Sequence, residues 1–172
     1  MSASPGIVVW LTGLPQSGKS TLARRVQDRL APRRACVLLD SDEVRAAIGA
    51  GGYGAGDRDA FYGLLASLAG LLARQGHAVL VAATAPRRGY RAAARAAAPR
   101  FVEVWVTTPL AACEARDTKG LYASARRGEA PELPGLGAAY EPPEAPEVVA
   151  DGGLDDGAAQ AIAQAIEQAA ER

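Results

Sequence analysis

The run Gly13-Leu14-Pro15-Gln16-Ser17-Gly18-Lys19-Ser20 satisfies the pattern G-x-x-x-x-G-K-[ST] in full, and no other feature restricts the possible folds of this chain so tightly. The pattern works only between a strand and the start of a helix, and both neighbours read that way. Gly6 to Thr12 is a short, β-branched apolar run, as expected of a buried strand. Ser20 to Leu30 carries Leu22, Ala23, Val26 and Leu30 at helical spacing, with Arg and Gln between them. Glycines let the backbone turn its N–H groups around phosphate oxygens, and the helix N-terminus adds its positive end. Lys19 supplies a point charge for the β- and γ-phosphates, and the Ser20 hydroxyl suits a magnesium ligand. Residues Gly13 to Thr21 are therefore expected to bind ATP with Mg2+.

Downstream, strands and helices alternate. Cys36 to Asp40 predicts a second buried strand, and a polar turn leads into a short helix to Ile48, capped by Ser41 or Asp42. Residues 49–56 are so glycine-rich that a mobile loop is expected, before a helix from about Asp57 to Gln75. Ala78 to Ala83 predicts a third strand, Arg87 to Ala97 a helix, Phe101 to Val106 a fourth strand, and Pro109 the first turn of a helix to Arg116. Between 117 and 146 periodicity weakens, leaving a long lid-like loop with a short basic helix, Tyr122 to Arg127. Glu147 to Ala150 reads as a last strand. Asp156 to Glu171 reads as a helix with Ala161, Ile162, Ala165, Ile166 and Ala169 on one face. The alternation predicts an α/β, three-layer P-loop fold: a mainly parallel sheet, helices on both faces and a lid, in one domain over 1–172.

Composition removes several classes of function. The formal net charge is zero over 172 residues, so nothing points to nucleic acid or an anionic membrane as partner. No apolar run is long enough for a spanning helix, and no signal peptide is visible. One histidine, His77, excludes a His-based triad or a multi-His metal site. Cys36 and Cys113 read as buried free thiols of a cytoplasmic protein. Trp10 and Trp105 are assigned to the core.

P-loop chains include switches, motors and kinases, so the loop alone leaves the reaction open. The second strand delivers Asp40 and Asp42 at its carboxyl end, where open α/β sheets bind ligands. Asp40 could hold a magnesium-bound water, and Asp42 could accept the proton of an attacking hydroxyl. Arg45, one turn later, could steer a substrate anion. Arg116, Lys119, Arg126 and Arg127 make the lid basic, as closure over a transferring phosphoryl group requires. Tyr53 and Phe61 would stack on a base or pack in the core. The set favours a kinase acting on a small molecule.

These residues also resemble a known family. Gly13-Leu-x-x-Ser17-Gly18-Lys19-Ser20-Thr21, Leu39-Asp40-x-Asp42-x-Val44-Arg45, Gly52 with Asp57-Arg58, Pro86 with Arg88, and Thr108-Pro109-Leu110 are similar to adenylylsulfate (APS) kinase. Cys113-Glu-Ala-Arg116-Asp117-x-Lys119-Gly120-Leu121-Tyr122-x-x-Ala125-Arg126 is the most specific part, continued by Gly135, Tyr140-Glu141, Pro143-Glu144 and Pro146-Glu147. The resemblance implies phosphorylation of the APS 3′-hydroxyl by ATP, giving 3′-phosphoadenylylsulfate for sulfate reduction or sulfotransfer, and a homodimer. It implies that Asp40 and Asp42 serve magnesium and the acceptor hydroxyl. It places Arg45, Arg58 and Tyr53 at the acceptor, with Phe61, Lys119 and Leu133 completing that site, and Arg116, Lys119 and Arg126 on the lid and nucleotide side.

Departures from the family pattern cluster on the acceptor side. Phe61, Gly63 and Leu64 replace an Asn and an Arg pair, and Ala85 replaces a Ser. Ala123 and Ser124 replace two lysines, and Leu133-Pro134-Gly135 replaces Phe-Thr-Gly. Each change removes a donor, a cation or a stacking face. Two alternatives therefore stand beside APS kinase: a related kinase for another small hydroxyl compound, and a nucleotide-binding regulatory subunit without turnover.

Overall fold

The computed structural model describes residues 5–171, so the outermost positions of the 1–172 reading lie outside it. In chain order the elements are β1 (Ile7–Thr12), α1 (Lys19–Leu30), β2 (Cys36–Asp40), α2 (Ser41–Ile48), α3 (Ala55–Arg74), β3 (Ala78–Ala82), α4 (Arg88–Ala97), β4 (Phe101–Val106), α5 (Leu110–Ala115), α6 (Leu121–Arg126), β5 (Val148–Ala150) and α7 (Asp156–Ala170). Every strand pairing is parallel, in the order β2-β3-β1-β4-β5.

β1 is central because all six of its residues are apolar or small enough to be buried on both faces, as an inner parallel strand demands. Its alternate side chains build two cores. Ile7, Val9 and Leu11 pack with Leu22 and Val26 of α1 and with Ile162 and Ile166 of α7. Val8 and Trp10 face the opposite way and pack with Phe61 and Leu65 of α3 and Ala94 of α4. Each such apolar side chain contributes about 1.5–3 kcal/mol when fully buried. The chain leaves β1 toward β2 and leaves β3 toward β4, so the crevice at the carboxyl ends of β1 and β3 is the topological switch point.

Several local expectations are corrected. Asp40, the last residue of β2, caps α2: its carboxylate accepts from the Asp42 N–H at 3.0 Å. A carboxylate reaching the first turn satisfies an orphan donor and the positive helix end together, which Ser41 or Asp42, already helical, cannot do. Pro109 is the N-cap of α5 rather than its first helical residue. The glycine-rich loop ends earlier than expected, because α3 begins at Ala55. Ala163, not Ala161, lies on the buried face of α7. Trp10 is fully buried, but Trp105 is only half-buried because its face of β4 lies nearer the edge. Both cysteines are buried free thiols.

Candidate active site

Gly18 takes a left-handed conformation (φ 97°) that only glycine adopts freely, and this starts α1 at Lys19. A side chain there would also collide with the backbone of Gly153, since a Cβ would lie 2.6 Å from its nitrogen. The loop thus curls inside the sheet edge. Lys19 is 8% exposed, and its Nζ donates to the carbonyls of Gly13 (3.1 Å) and Leu14 (2.8 Å). Burial pushes the Lys19 ammonium down to about 8, against the raising influence of Cys113, Asp42 and Asp40. A polyphosphate entering the loop supplies the counter-charge that this buried cation lacks.

The Ser20 hydroxyl donates to the Asp40 carboxylate, which brings two hard oxygen donors from α1 and the end of β2 to one point. Among the described residues, no group of three or more His, Cys, Asp or Glu gathers elsewhere. Magnesium binds through one or two protein oxygens, keeping its waters and taking substrate phosphate oxygens, so this pair fits it.

One cavity of about 1730 Å³ runs from Lys19 and Ser20 past Asp40 and Asp42 to Arg45, Tyr53 and Arg58. Single-ligand pockets occupy about 300–1,000 Å³, so the space suits two ligands rather than one. Asp42, in the first turn of α2, forms an ion pair with Lys119 across the mouth of the cavity. Arg45 is buried, and its Nη1 donates to the Gly52 carbonyl at 3.1 Å. Its guanidinium meets two rings, 4.6 Å from the Tyr53 centroid and 3.8 Å from that of Phe61. Arg58 also lines the cavity and donates to the Glu132 carbonyl at 2.6 Å. Arg116, Lys119 and Leu133 complete the wall.

The lid is fastened to the phosphate loop. The buried Tyr122 on α6 donates its hydroxyl to the Pro15 carbonyl at 2.7 Å. Asp117 accepts from the Tyr122 and Ala123 N–H groups at 3.1 and 2.8 Å, holding the start of α6. Cys113, Tyr122 and Leu133 form a small apolar cluster against Leu14 of the loop.

Two expected positions fall elsewhere. Phe61 is buried in the core behind Arg45 and does not reach the cavity wall, because its place on α3 faces the sheet. Arg126 points outward to an ion pair with Glu114 at 2.7 Å and lines no part of the cavity. The structure also gives supporting roles to residues to which the sequence assigns none. The Thr108 hydroxyl donates to the Ser17 carbonyl at 2.7 Å, and the Gly152-Gly153 turn packs against Gly18 from behind. The paired glycines directly after β5 were the available signal. Arg91 is 2% exposed and ties the Glu103 carboxylate, the Ala85 carbonyl and the Glu141 carbonyl together at 2.6, 2.5 and 2.6 Å. Tyr140 meets the Thr12 hydroxyl at 2.9 Å. Alone among dispersed arginines, Arg91 carried no distinguishing pattern.

The central phosphate loop, the acids at the end of β2 and a basic lid across a two-ligand cavity define the class of P-loop phosphotransferases. The adenylylsulphate kinase family profile matches residues 5–151, and the chain belongs to that family. It is 43% identical over 152 residues to the adenylyl-sulfate kinase of Paraburkholderia xenovorans, covering 87% of this chain and 85% of that one. The adenylyl-sulfate kinase of Chloroflexus aurantiacus is 46% identical over 145 residues, 83% of this chain and 78% of its own. The Mycobacterium tuberculosis APS kinase, in complex with AMPPNP and APS, superposes with a TM-score of 0.83 at 37% identity, covering 98% of this chain and 99% of that one.

Proposed function

We propose that this chain transfers the γ-phosphoryl group of ATP to the 3′-hydroxyl of adenylyl sulfate, giving 3′-phosphoadenylyl sulfate and ADP. The observation that carries the reading is the single cavity with the phosphate loop at one end, Arg45, which meets no carboxylate among the described residues, at the other, and Asp42 between them. In this reading the described chain works as one kinase domain. Gly13 to Thr21 cradle the ATP phosphates, with Lys19 on the β- and γ-oxygens and Arg116 on the nucleotide side.

Asp42 takes the proton of the acceptor hydroxyl, whose oxygen then bonds to the γ-phosphorus. The bond from that phosphorus to the bridging oxygen breaks, and ADP leaves with the electron pair. Lys119, paired with Asp42, is positioned to follow the charge onto the transferring group. Ser20 and Asp40 would hold magnesium, which when bound neutralises charge on the phosphate oxygens. Arg45, Arg58, Tyr53 and Leu133 receive the acceptor.

The departures from the family pattern divide by position. Gly63, Leu64, Ala85, Ala123 and Ser124 do not line the cavity, while Leu133 and Pro134 do. Steady-state ADP release from magnesium-ATP, with and without micromolar adenylyl sulfate, tests the reading. Strong stimulation is expected; ordinary ATP binding without stimulation would overturn adenylyl sulfate as the acceptor.

Homodimerisation and a cytoplasmic setting belong to the same proposal. Leu64 and Leu71, seven residues apart on α3, are 46% and 47% exposed and offer an apolar stripe for a second copy. Sedimentation equilibrium is expected to give twice the chain mass, and a single-chain mass would contradict the dimer. No helix among the described residues is long and apolar enough to cross a membrane. The cytoplasm supplies ATP and keeps buried thiols reduced.

A further inference from the structure

Arg45 is only 7% exposed, yet its guanidinium meets no carboxylate among the described residues. The nearby acids are engaged elsewhere: Asp40 with Ser20 and the Asp42 N–H, Asp42 with Lys119. A cation removed from water without a counter-ion is unfavourable unless something else faces its charge. Here two aromatic rings do so. The guanidinium carbon lies 3.8 Å from the Phe61 ring centroid and 4.6 Å from that of Tyr53. The quadrupole of each ring presents negative charge to the cation.

The three side chains come from three elements: Tyr53 from the loop before α3, Arg45 from α2 and Phe61 from α3. Their exposures differ. Tyr53 is 58% exposed, whereas Phe61 is 3% exposed and wedged among Val8, Trp10 and Leu65. Phe61 also meets Tyr62 edge-on, with centroids 5.5 Å apart and planes at 66°, which limits its ring tilt. Phe61 is therefore the fixed partner of the guanidinium and Tyr53 the exposed one. Nη1 donates to the Gly52 carbonyl, the Tyr62 side chain is a further partner, and Arg45 lines the cavity. A guanidinium held in place can bind phosphate or sulfate oxygens in pairs.

We propose that Phe61 is a positioning residue for acceptor recognition: its buried ring holds the Arg45 guanidinium at the cavity wall, where it meets the phosphate or sulfate group of the acceptor. This deepens the function proposed above and rests on it for the identity of the acceptor. Phe61 touches no substrate and acts through Arg45 alone, so its effect falls on the acceptor and not on ATP.

The test compares Phe61→Leu, which keeps an apolar side chain but removes the flat face, with Phe61→Tyr, which keeps the face. Melting curves establish that each variant is folded. In Phe61→Leu the KM for adenylyl sulfate is expected to rise about tenfold, with kcat and the KM for ATP within about twofold of wild type; Phe61→Tyr is expected to restore the wild-type KM. An unchanged KM for adenylyl sulfate in folded Phe61→Leu, or an equal loss on both substrates, would overturn the proposal. NMR of the Arg45 side-chain N–H signals reads the stack without any acceptor. Slow guanidinium rotation in wild type and fast rotation in Phe61→Leu supports it; identical signals overturn it. If wild type shows no turnover with adenylyl sulfate, the functional reading fails by that result, and the Arg45 signals still decide the role of Phe61.

Discussion

Lys19→Met is expected to lower kcat/KM for ATP by at least about a thousandfold, the scale of losing a positioned cation from a phosphoryl-transfer site. Methionine preserves the length and the apolar stem, so the loop keeps its filling. The ammonium sits inside the loop on the Gly13 and Leu14 carbonyls, and burial already disfavours its charged form. The linkage sign follows from that depression. Between about 8, where burial has placed the Lys19 ammonium, and its ordinary range, the unfolded chain binds the extra proton, so this group's burdening of the fold eases as pH rises. At neutral pH the methionine variant carries no such burden. Its melting temperature is expected to equal or exceed that of wild type, while activity collapses. Turnover within tenfold of wild type would contradict the assigned role of Lys19.

Asp42→Asn is expected to cut kcat by about 10²–10⁴, the usual contribution of a positioned general base, with ATP affinity nearly unchanged. The amide cannot accept the hydroxyl proton, and the side-chain partner of Asp42 is Lys119 rather than a group of the phosphate loop. The change also breaks the ion pair with Lys119. Both side chains are more than half exposed, at 59% and 54%, so stability is expected to move by no more than about 1 kcal/mol. Isothermal titration with ATP and steady-state kinetics separate the two effects. A variant with ordinary turnover would remove Asp42 as the base.

The donor half of this site is readable from the chain because its chemistry is local. A strand, six loop residues and a helix start are contiguous, and each residue type is demanded by phosphate geometry. The Asp40 and Asp42 pair is also contiguous, so its place at a strand end could be read from the apolar run before it. The acceptor half is assembled from α2, α3, the loop between them and the segment 129–134, and no spacing rule links those pieces. Phe61 illustrates the limit. Its neighbourhood suggested a stacking surface, and the structure makes it one, but for Arg45 rather than for the cavity. Which face of α3 turns to the sheet depends on the helix as a whole, whose apolar residues run nearly all round it.

Supporting groups were less legible still. Arg91 and Thr108 act through carbonyls of residues far away in the chain, including Glu141 and Ser17. A backbone carbonyl leaves no trace in residue identity, so such partners cannot be read from sequence. The capping of α2 by Asp40 turned on a single residue's conformation at the strand–helix junction, below the precision of a periodicity argument.

Phosphoryl transfer itself is read most directly by incubating the protein with ATP labelled at the γ-phosphate, magnesium and adenylyl sulfate, then separating the products. Label is expected in 3′-phosphoadenylyl sulfate, in amounts equal to the ADP formed and dependent on adenylyl sulfate. Label found only in unreacted ATP or inorganic phosphate, with adenylyl sulfate recovered intact, would contradict the account.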